Sequence, residues 1–323
     1  MLEVSEQKTK SKIDVNKLSI REQKDYYEDL RAQCLLLKNN QLHFGQNAIK
    51  TIYPFLRSYQ IEIQGEENVP RDSNVLFVAN HSNSHDIFTA YELFSKLERK
   101  GSVMVATDCL NPLTTQIFKA SDATLLDRRV KKDRGNSILQ LSNKLLSGKD
   151  GLIFGEGTWN LHPTLPMHNI QNGAAKVSII TQIPIVPVII EYIEKNEFVK
   201  SDGALYAKCV IRFGKPIMID ANNTLPMQSQ IIKMAMSDIR ETIWKDYNIQ
   251  RESIENIDPR MYINHTYAKK FKAFGFTYDS KMEQNYLLFL GNVLRENEYT
   301  LNSKGEFVPG ITEKSSELRK ILR

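Results

Sequence analysis

Residues 75–87 read VLFVANHSNSHDI. An apolar run, Val75–Ala79, is followed by a polar stretch that begins at Asn80, and apolar residues resume at helical spacing from Ile87. A short apolar run before a polar turn is typical of a buried strand, and the later spacing is typical of a helix. This stretch therefore predicts a strand, a loop and a helix, with His81 and Asp86 at the carboxyl end of the strand.

The residues on both sides of this unit repeat the alternation of strand and helix patterns. Their order predicts an α/β fold, with a mixed, largely parallel sheet flanked by helices and with antiparallel strands at its edges. In such sheets the functional site lies in loops beyond the carboxyl ends of the strands. The predicted strands are Tyr59–Ile63, Val75–Ala79, Val103–Thr107, Ala123–Leu126, Gly151–Phe154, Pro184–Ile190 and Ala207–Phe213. The predicted helices among them are Ile87–Leu97, Pro112–Lys119 and Asn136–Leu146.

The two ends of the chain differ from its middle, which divides it into three regions. Residues 1–58 are a polar lead-in with N-terminal amphipathic helices, residues 59–222 are the α/β domain, and residues 223–323 are a helical C-terminal extension without a recognisable chemical motif. The N-terminal helices are predicted across Ser19–Lys38 and Leu42–Leu56. The apolar positions of the first helix are Tyr27, Leu30, Cys34 and Leu37. Such a stripe forms either a packing face or a membrane contact. In the extension, helical patterns cover Ile232–Ile243, Tyr267–Phe274 and Met282–Leu294, and Asn302–Gly305 resembles a turn.

The composition excludes several classes of protein. Of 323 residues, 41% are hydrophobic and 25% are charged, which rules out wholesale disorder. The net charge of +5 is too small to indicate nucleic-acid binding by itself, but it suits an anionic partner, such as a lipid headgroup or a phosphorylated cofactor. Three dispersed cysteines without a C-x-x-C pair indicate neither a disulfide framework nor a zinc site. The apolar stretch Val177–Ile193 contains Gln182 and two prolines and is too short to span a bilayer, and residues 1–17 lack a signal-peptide pattern. We therefore expect a cytoplasmic protein.

The loop at residues 80–86 carries the sharpest chemical pattern. Asp86 lies where the next helix begins, a position that favours a carboxylate. Bonded to one imidazole nitrogen of His81, it would fix the tautomer and leave the other nitrogen as a base. Two other interpretations stay open at this point. One is an N-cap beside solvated histidines, and the other is a metal site made by His81, His85 and Asp86.

Three further blocks follow later strands. Residues 123–129 run into a cationic turn whose Arg128 is suited to gripping a phosphate, while Lys131, Lys132 and Arg134 fit a solvated basic loop. In residues 154–158, Gly155 and Gly157 allow unusual backbone angles and a close approach of substrate, and Glu156 either bonds substrate hydroxyls or braces the loop. The run Ile185–Ile189 contains Pro187, which predicts an edge strand or a bulge.

Together the four blocks, N-H-x4-D, L-L-D-R, F-x-E-G-T and V-P-V, resemble the glycerolipid acyltransferase superfamily, the group that contains lysophosphatidic acid acyltransferases. The resemblance covers about Gly65 to Pro216. It implies that His81 is a general base oriented by Asp86, and that Arg128 binds the phosphate of the acceptor. It also implies that Glu156, Gly157 and Thr158 position the acceptor and that Val186–Val188 form part of an apolar face.

The third block departs from the family pattern, which commonly reads F-P-E-G-T-R-S. Gly155 stands in place of the proline, Trp159 in place of the arginine and Asn160 in place of the serine. The exchange at Trp159 removes an expected phosphate contact and offers an aromatic plane to the substrate. The acceptor is therefore a lysolipid, a glycolipid or another sugar-bearing hydroxyl compound.

The resemblance implies an O-acyltransferase of phospholipid biosynthesis. Its donor would be an acyl thioester, either acyl-CoA or acyl-carrier protein, used without a further cofactor or metal. Its acceptor would be a lysophospholipid such as 1-acylglycerol-3-phosphate, met at the inner face of the membrane by a peripheral protein. The alternatives are a glycolipid or other non-phosphate acceptor, a lipid- or CoA-binding module without turnover, and a metal-dependent hydrolase built on His81, His85 and Asp86.

Overall fold

The computed structural model describes residues 18–37, 47, 51–54, 57–83, 85–107, 110, 112–128, 130–160, 165–195 and 206–249, together with the backbone of 299–301 and 307–309. The described strands are β1 (Gln60–Gln64), β2 (Leu76–Ala79), β3 (Gly101–Ala106), β4 (Thr124–Leu126), β5 (Asp150–Phe154), β6 (Ile185–Glu194), β7 (Tyr206–Phe213), β8 (Tyr299–Leu301) and β9 (Phe307–Pro309). The helices are α1 (Ile20–Leu35), α2 (Asp86–Lys96), α3 (Pro112–Ala120), α4 (Lys131–Leu146), α5 (Gly173–Thr181) and α6 (Leu225–Asp246).

Seven strands form one sheet in the order β1-β7-β6-β2-β5-β3-β4. Five of its neighbouring pairs are parallel, and only β6 and β7 are antiparallel. The predicted mixed, largely parallel sheet is therefore confirmed. The antiparallel pair, however, lies inside the sheet and not at an edge, because β7 returns beside β6 and then pairs with β1 in parallel.

The central strands are buried along their whole length because helices cover both faces of the sheet. Every residue of β2 and β5 is buried. One face packs against α2 and α3 through residues such as Phe77 and Phe94. The other face packs against α4, α5 and α6, where Leu141, Ala175 and Met236 are buried. This arrangement leaves the loops at the carboxyl ends of the strands as the place where polar side chains meet.

Pro187 lies in an internal strand, so the edge position, one of the two predicted for it, is wrong. On one side of β6, Ile185 exchanges both backbone hydrogen bonds with Ile217, and the Pro187 carbonyl accepts from the N–H of Gly214. The ladder with β7 starts only at the pair Val188–Phe213. The odd-numbered residues of β6 direct their backbone groups toward β7. The missing N–H of Pro187 therefore falls just outside the β6–β7 ladder, where no ladder hydrogen bond is lost.

Helix α1 begins with a capping box between Ser19 and Glu22. Its buried residues Tyr27 and Cys34 pack against Ile179 and Ile180 of α5. The predicted stripe is thus a packing face, and the alternative that it contacts a membrane is wrong for these two residues. Within the described part of the chain, no helix has the length and apolar character needed to cross a bilayer.

The regions outside the α/β domain match the predictions in part. Helix α6 is helical as expected and buries Ile232, Met236 and Ile243. Strands β8 and β9 form an antiparallel pair inside the region predicted to be helical, so that prediction is wrong there. The patterns at Tyr267–Phe274, Met282–Leu294 and Asn302–Gly305, and most of Leu42–Leu56, lie outside the described residues. The region boundaries at residues 58 and 222 stay predictions.

Candidate active site

The loop after β2 brings His81 and Asp86 into contact. Helix α2 begins at Asp86, whose carboxylate oxygen Oδ2 accepts from His81 Nδ1 and from the backbone N–H groups of Ser82 and Asn83, each at 2.8 Å. The Asp86 side chain is fully buried, whereas that of His81 is 15% exposed. Because Nδ1 of a neutral imidazole carries the proton in this bond, Nε2 keeps its lone pair. Nε2 has no hydrogen bond to any of the described residues, which suits it to take a proton.

Two aromatic rings fix the plane of the His81 imidazole. Phe154, the last residue of β5, stacks on it at 4.3 Å between ring centroids, and Trp159 meets it edge-on at 5.9 Å. Trp159 is buried, and its indole therefore presents little surface to solvent. Contact of Trp159 with a substrate stays a prediction.

Glu156 lies beneath the same loop, and both of its carboxylate oxygens contact protein backbone. Oε1 accepts from the N–H of His81 at 3.2 Å, and Oε2 accepts from the N–H of His168 at 2.8 Å. Burial raises the pKa of this carboxyl to about 7, against the opposing effects of Arg240 and of the two N–H donors. Of the two roles considered for Glu156, the structure places it in the bracing one; direct contact with the acceptor stays a prediction.

Arg128 joins this loop from the end of β4. Its Nη1 donates to the carbonyl of Gly157 at 2.7 Å. Gly157 is exposed with φ of +68°, and Thr158 is half-buried beside it. The structure therefore places Arg128, Gly157 and Thr158 with His81 in the loops at the carboxyl ends of the strands, which we call the rim of the site. Lys131, Lys132 and Arg134 are exposed as predicted, but they form the first turn of α4, so the predicted loop is wrong there.

Gly155 has a different reason to be glycine than the sequence suggested. Its φ is not positive, and a Cβ atom there would lie 2.7 Å from Cγ1 of Val78 and 3.0 Å from Cδ1 of Ile170. Close packing of protein atoms therefore excludes a side chain at this position. At Gly155 it is therefore the protein core, and not a substrate as predicted, that lies close to the backbone.

His85 belongs to a separate cluster on the α2 face of the sheet. Its Nδ1 bonds with the hydroxyl of Tyr53 at 2.7 Å, and the rings of Tyr59, Tyr192 and Tyr206 surround it. Burial lowers the pKa of His85 to about 4, so its ring is neutral at pH 7. Among the residues that the structure describes, no three His, Cys, Asp or Glu side chains are placed to hold a metal ion. The geometry does not support the metal-hydrolase alternative built on His81, His85 and Asp86.

Sequence reasoning missed the side chains that support the site from behind. They include Glu191 of β6 and Arg240 of α6, which form a buried ion pair at 2.6 Å, and Tyr53, which bonds His85. Each is a single residue far along the chain from the motif it supports, and no local pattern marks it.

Comparison with known proteins agrees with this arrangement. The family model described as Acyltransferase matches residues 60–191, which include His81, Asp86, Arg128 and the loop at Glu156. Residues 60–191 are an acyltransferase-family domain. The predicted family is thereby confirmed, while Arg240 lies outside the matched region.

Solved structures similar to this chain include one titled the 1-acyl-sn-glycerophosphate (LPA) acyltransferase, PlsC, from Thermotoga maritima. It is 17% identical, with a TM-score of 0.44, and the similarity covers 74% of this chain and 87% of that one. No curated protein matches the chain.

Proposed function

We propose that this protein moves a fatty acyl group from an acyl thioester to a hydroxyl of a lysophospholipid-like acceptor such as 1-acylglycerol-3-phosphate. The observation that carries the proposal is the bond between His81 Nδ1 and buried Asp86, which leaves Nε2 as a base inside an acyltransferase-family domain. The family match supports acyl transfer, and the resemblance of the four sequence blocks supports a lipid acceptor.

The chemistry requires one base and no redox step. Nε2 of His81 takes the proton of the acceptor hydroxyl while its oxygen attacks the thioester carbonyl carbon. The carbon–sulfur bond then breaks, and the imidazolium returns the proton to the departing thiolate. The products are an ester and a free thiol. Asp86 stabilises the imidazolium between the two steps, as a carboxylate does beside other histidine bases.

Arg128 is the residue that we expect to bind an anionic headgroup. Its guanidinium lies at the rim, held by the Gly157 carbonyl, and a planar cation suits a phosphate. A glycolipid or other non-phosphate acceptor is a second candidate, because buried Trp159 stands where the family commonly has an arginine. The donor is acyl-CoA or acyl-carrier protein, and both supply the same thioester.

We further propose that the protein works at the inner face of the membrane as a peripheral protein, because both substrates are amphipathic. Exposed leucines at the end of α1 support this, since Leu35 and Leu36 are 61% and 85% exposed. Flotation with anionic liposomes tests it, with Leu36→Glu as the variant that should bind less. Equal flotation of both proteins counts against docking through these leucines.

The acyl transfer is tested by offering the purified protein acyl-CoA and a panel of acceptors. Free thiol is measured together with the mass of the lipid product. We expect thiol release that depends on the acceptor, and an ester product from 1-acylglycerol-3-phosphate. Transfer only to a glycolipid supports the second candidate, and thiol release with water as the sole acceptor overturns the transferase proposal.

A further inference from the structure

Three buried charged side chains from separate elements meet beneath the His81 loop. Glu156 follows β5, Glu191 belongs to β6 and Arg240 belongs to α6, and they are 2%, 8% and 5% exposed. Glu191 pairs directly with the guanidinium of Arg240, and Glu156 feels the same positive charge without an ion pair to it. Because buried charge without compensation is costly, the position of Arg240 matters to both acids.

Arg240 is held firmly from three sides. Its Nε and Nη2 donate to the two carboxylate oxygens of Glu191, at 2.6 and 3.5 Å. Its Nη1 donates to the carbonyl of Pro166 at 2.8 Å, and its guanidinium carbon lies 5.2 Å from the centroid of a Trp244 ring. One side chain of α6 therefore links the sheet to the chain around residue 166.

The segment around residue 166 is connected by hydrogen bonds to the backbone N–H and to the backbone carbonyl of His81. The N–H of His168 donates to Oε2 of Glu156, whose Oε1 accepts from the N–H of His81. The carbonyl of His81 accepts from the N–H of Asn160 at 2.5 Å, and the Asn160 amide donates to the carbonyl of Pro166 at 3.3 Å. Helix α6 is thus connected to the candidate base through two short chains of hydrogen bonds.

We propose that Arg240 is a positioning residue for His81, acting by keeping Glu156 ionised and by anchoring Pro166. A carboxylate accepts these two backbone N–H bonds more strongly than a protonated acid does, and an amide would present N–H hydrogens to one of them. The inference rests on the proposed function for its effect on rate, but its electrostatic part can be measured without any activity.

The balance of charge around Glu156 gives this role an observable consequence. Burial raises the pKa of Glu156 to about 7, and Arg240 is the first of the groups that oppose the rise. The groups that face Glu156 are Arg240, the Asn160 amide and the N–H donors of His81 and His168. Glu191 forms the ion pair with the guanidinium of Arg240. Removing Glu191 should therefore ease ionisation of Glu156, and removing the whole pair should hinder it.

The first experiment follows the side-chain carboxyl carbon of Glu156 by NMR as the pH is changed. Its signal is assigned by its loss in Glu156→Gln. We expect the midpoint to move to lower pH in Glu191→Gln and to higher pH in the double variant Arg240→Met, Glu191→Gln, which leaves no unpaired partner behind. Midpoints that do not move apart overturn the inference. Glu191→Gln alone decides the point if the double variant does not fold.

The second experiment measures transfer. At pH 7 the double variant should lose about 10- to 100-fold in kcat, because a small misplacement of a reacting group has effects of that size. Its KM should stay within about twofold, since ground-state binding is unchanged. Raising the pH should restore part of the rate as Glu156 ionises, which a merely structural lesion would not do. An unchanged kcat, or a loss that no pH restores, overturns the inference.

The control is Glu92→Gln. It breaks a comparably buried pair, Arg57–Glu92 at 2.8 Å, which does not contact Glu156. Its pH profile should follow that of the unaltered protein. If the unaltered protein transfers no acyl group at all, the proposed function fails, while the titration of Glu156 still decides the role of Arg240.

Discussion

Replacing Asp86 by asparagine removes the charge of this side chain while keeping its shape. In the structure, Oδ2 of Asp86 accepts from His81 Nδ1 and from two backbone N–H groups, each at 2.8 Å. The amide oxygen of Asn can accept the same bonds, so the loop keeps its hydrogen-bond pattern. What is lost is the negative charge beside the imidazolium that forms during transfer.

The size of that loss follows from the geometry. Opposite unit charges about 4 Å apart attract by about 4 kcal/mol at an effective dielectric constant of about 20. A barrier raised by this amount lowers kcat about 10³-fold. Bonds to a charged acceptor are also stronger than bonds to a neutral one by about 1 kcal/mol each, so three of them lower the free energy of unfolding of Asp86→Asn by about 3 kcal/mol.

The assay compares kcat with acyl-CoA and 1-acylglycerol-3-phosphate, and urea unfolding is measured in parallel. Asp122→Asn is the matched control, because Asp122 is buried, pairs with Lys149 at 2.7 Å and lies before β4, away from the loop. It should destabilise the fold and spare kcat. A folded Asp86→Asn protein whose kcat stays within about tenfold of the unaltered enzyme would refute the reasoning.

Three further outcomes are expected. Gly155→Ala should lower the free energy of unfolding by about 1–3 kcal/mol, since its Cβ would meet Val78 at 2.7 Å; equal urea midpoints would contradict this. Arg128→Gln should raise KM for a phosphate-bearing acceptor and spare kcat, and an unchanged KM would remove this residue from the headgroup site. The pKa of Glu156 is raised to about 7 in the folded protein from 4.5, so the unfolded chain loses this proton first as the pH rises. The free energy of unfolding should therefore fall by about 3 kcal/mol relative to that of Glu156→Gln between pH 4.5 and 7. If the free energies of unfolding of these two proteins changed equally across that pH range, Glu156 would not titrate as described.

The sheet could be read from the sequence because its signals are local. Each of the seven runs is short and bounded by polar or glycine-containing turns, and the central ones are buried on both faces, so strand and loop are separated within a few residues. Helix α5 was missed for the opposite reason. Its residues are buried almost all round, which removes the polar face that gives a helix its periodic pattern.

Pro187 shows where a local rule fails. A proline lacks one donor, and whether that matters depends on which residue of another strand lies opposite. Here the residue opposite Pro187 is Gly214, which lies 27 residues further along the same chain and just outside the β6–β7 ladder. The number of strands was therefore predictable, but the place of β6 inside the sheet was not.

The front of the candidate site was predictable and its support was not. His81, Asp86, Arg128 and Glu156 occur within recognisable blocks, and the structure places all four at one edge of the sheet. The bracing role of Glu156 and the contacts of Arg240 depend on tertiary packing. In particular, the helix that carries Arg240 has an ordinary amphipathic pattern, which gives no sign that this one polar residue is buried.

The rate of a single acyl transfer, measured with His81→Ala beside the unaltered protein, tests the central claim most directly. Removing a positioned base should slow the chemical step by about 10²–10⁴-fold while the protein stays folded and acceptor binding changes little. Equal single-turnover rates for the two proteins would contradict the account, because the proposed chemistry gives the proton of the acceptor hydroxyl to the His81 imidazole.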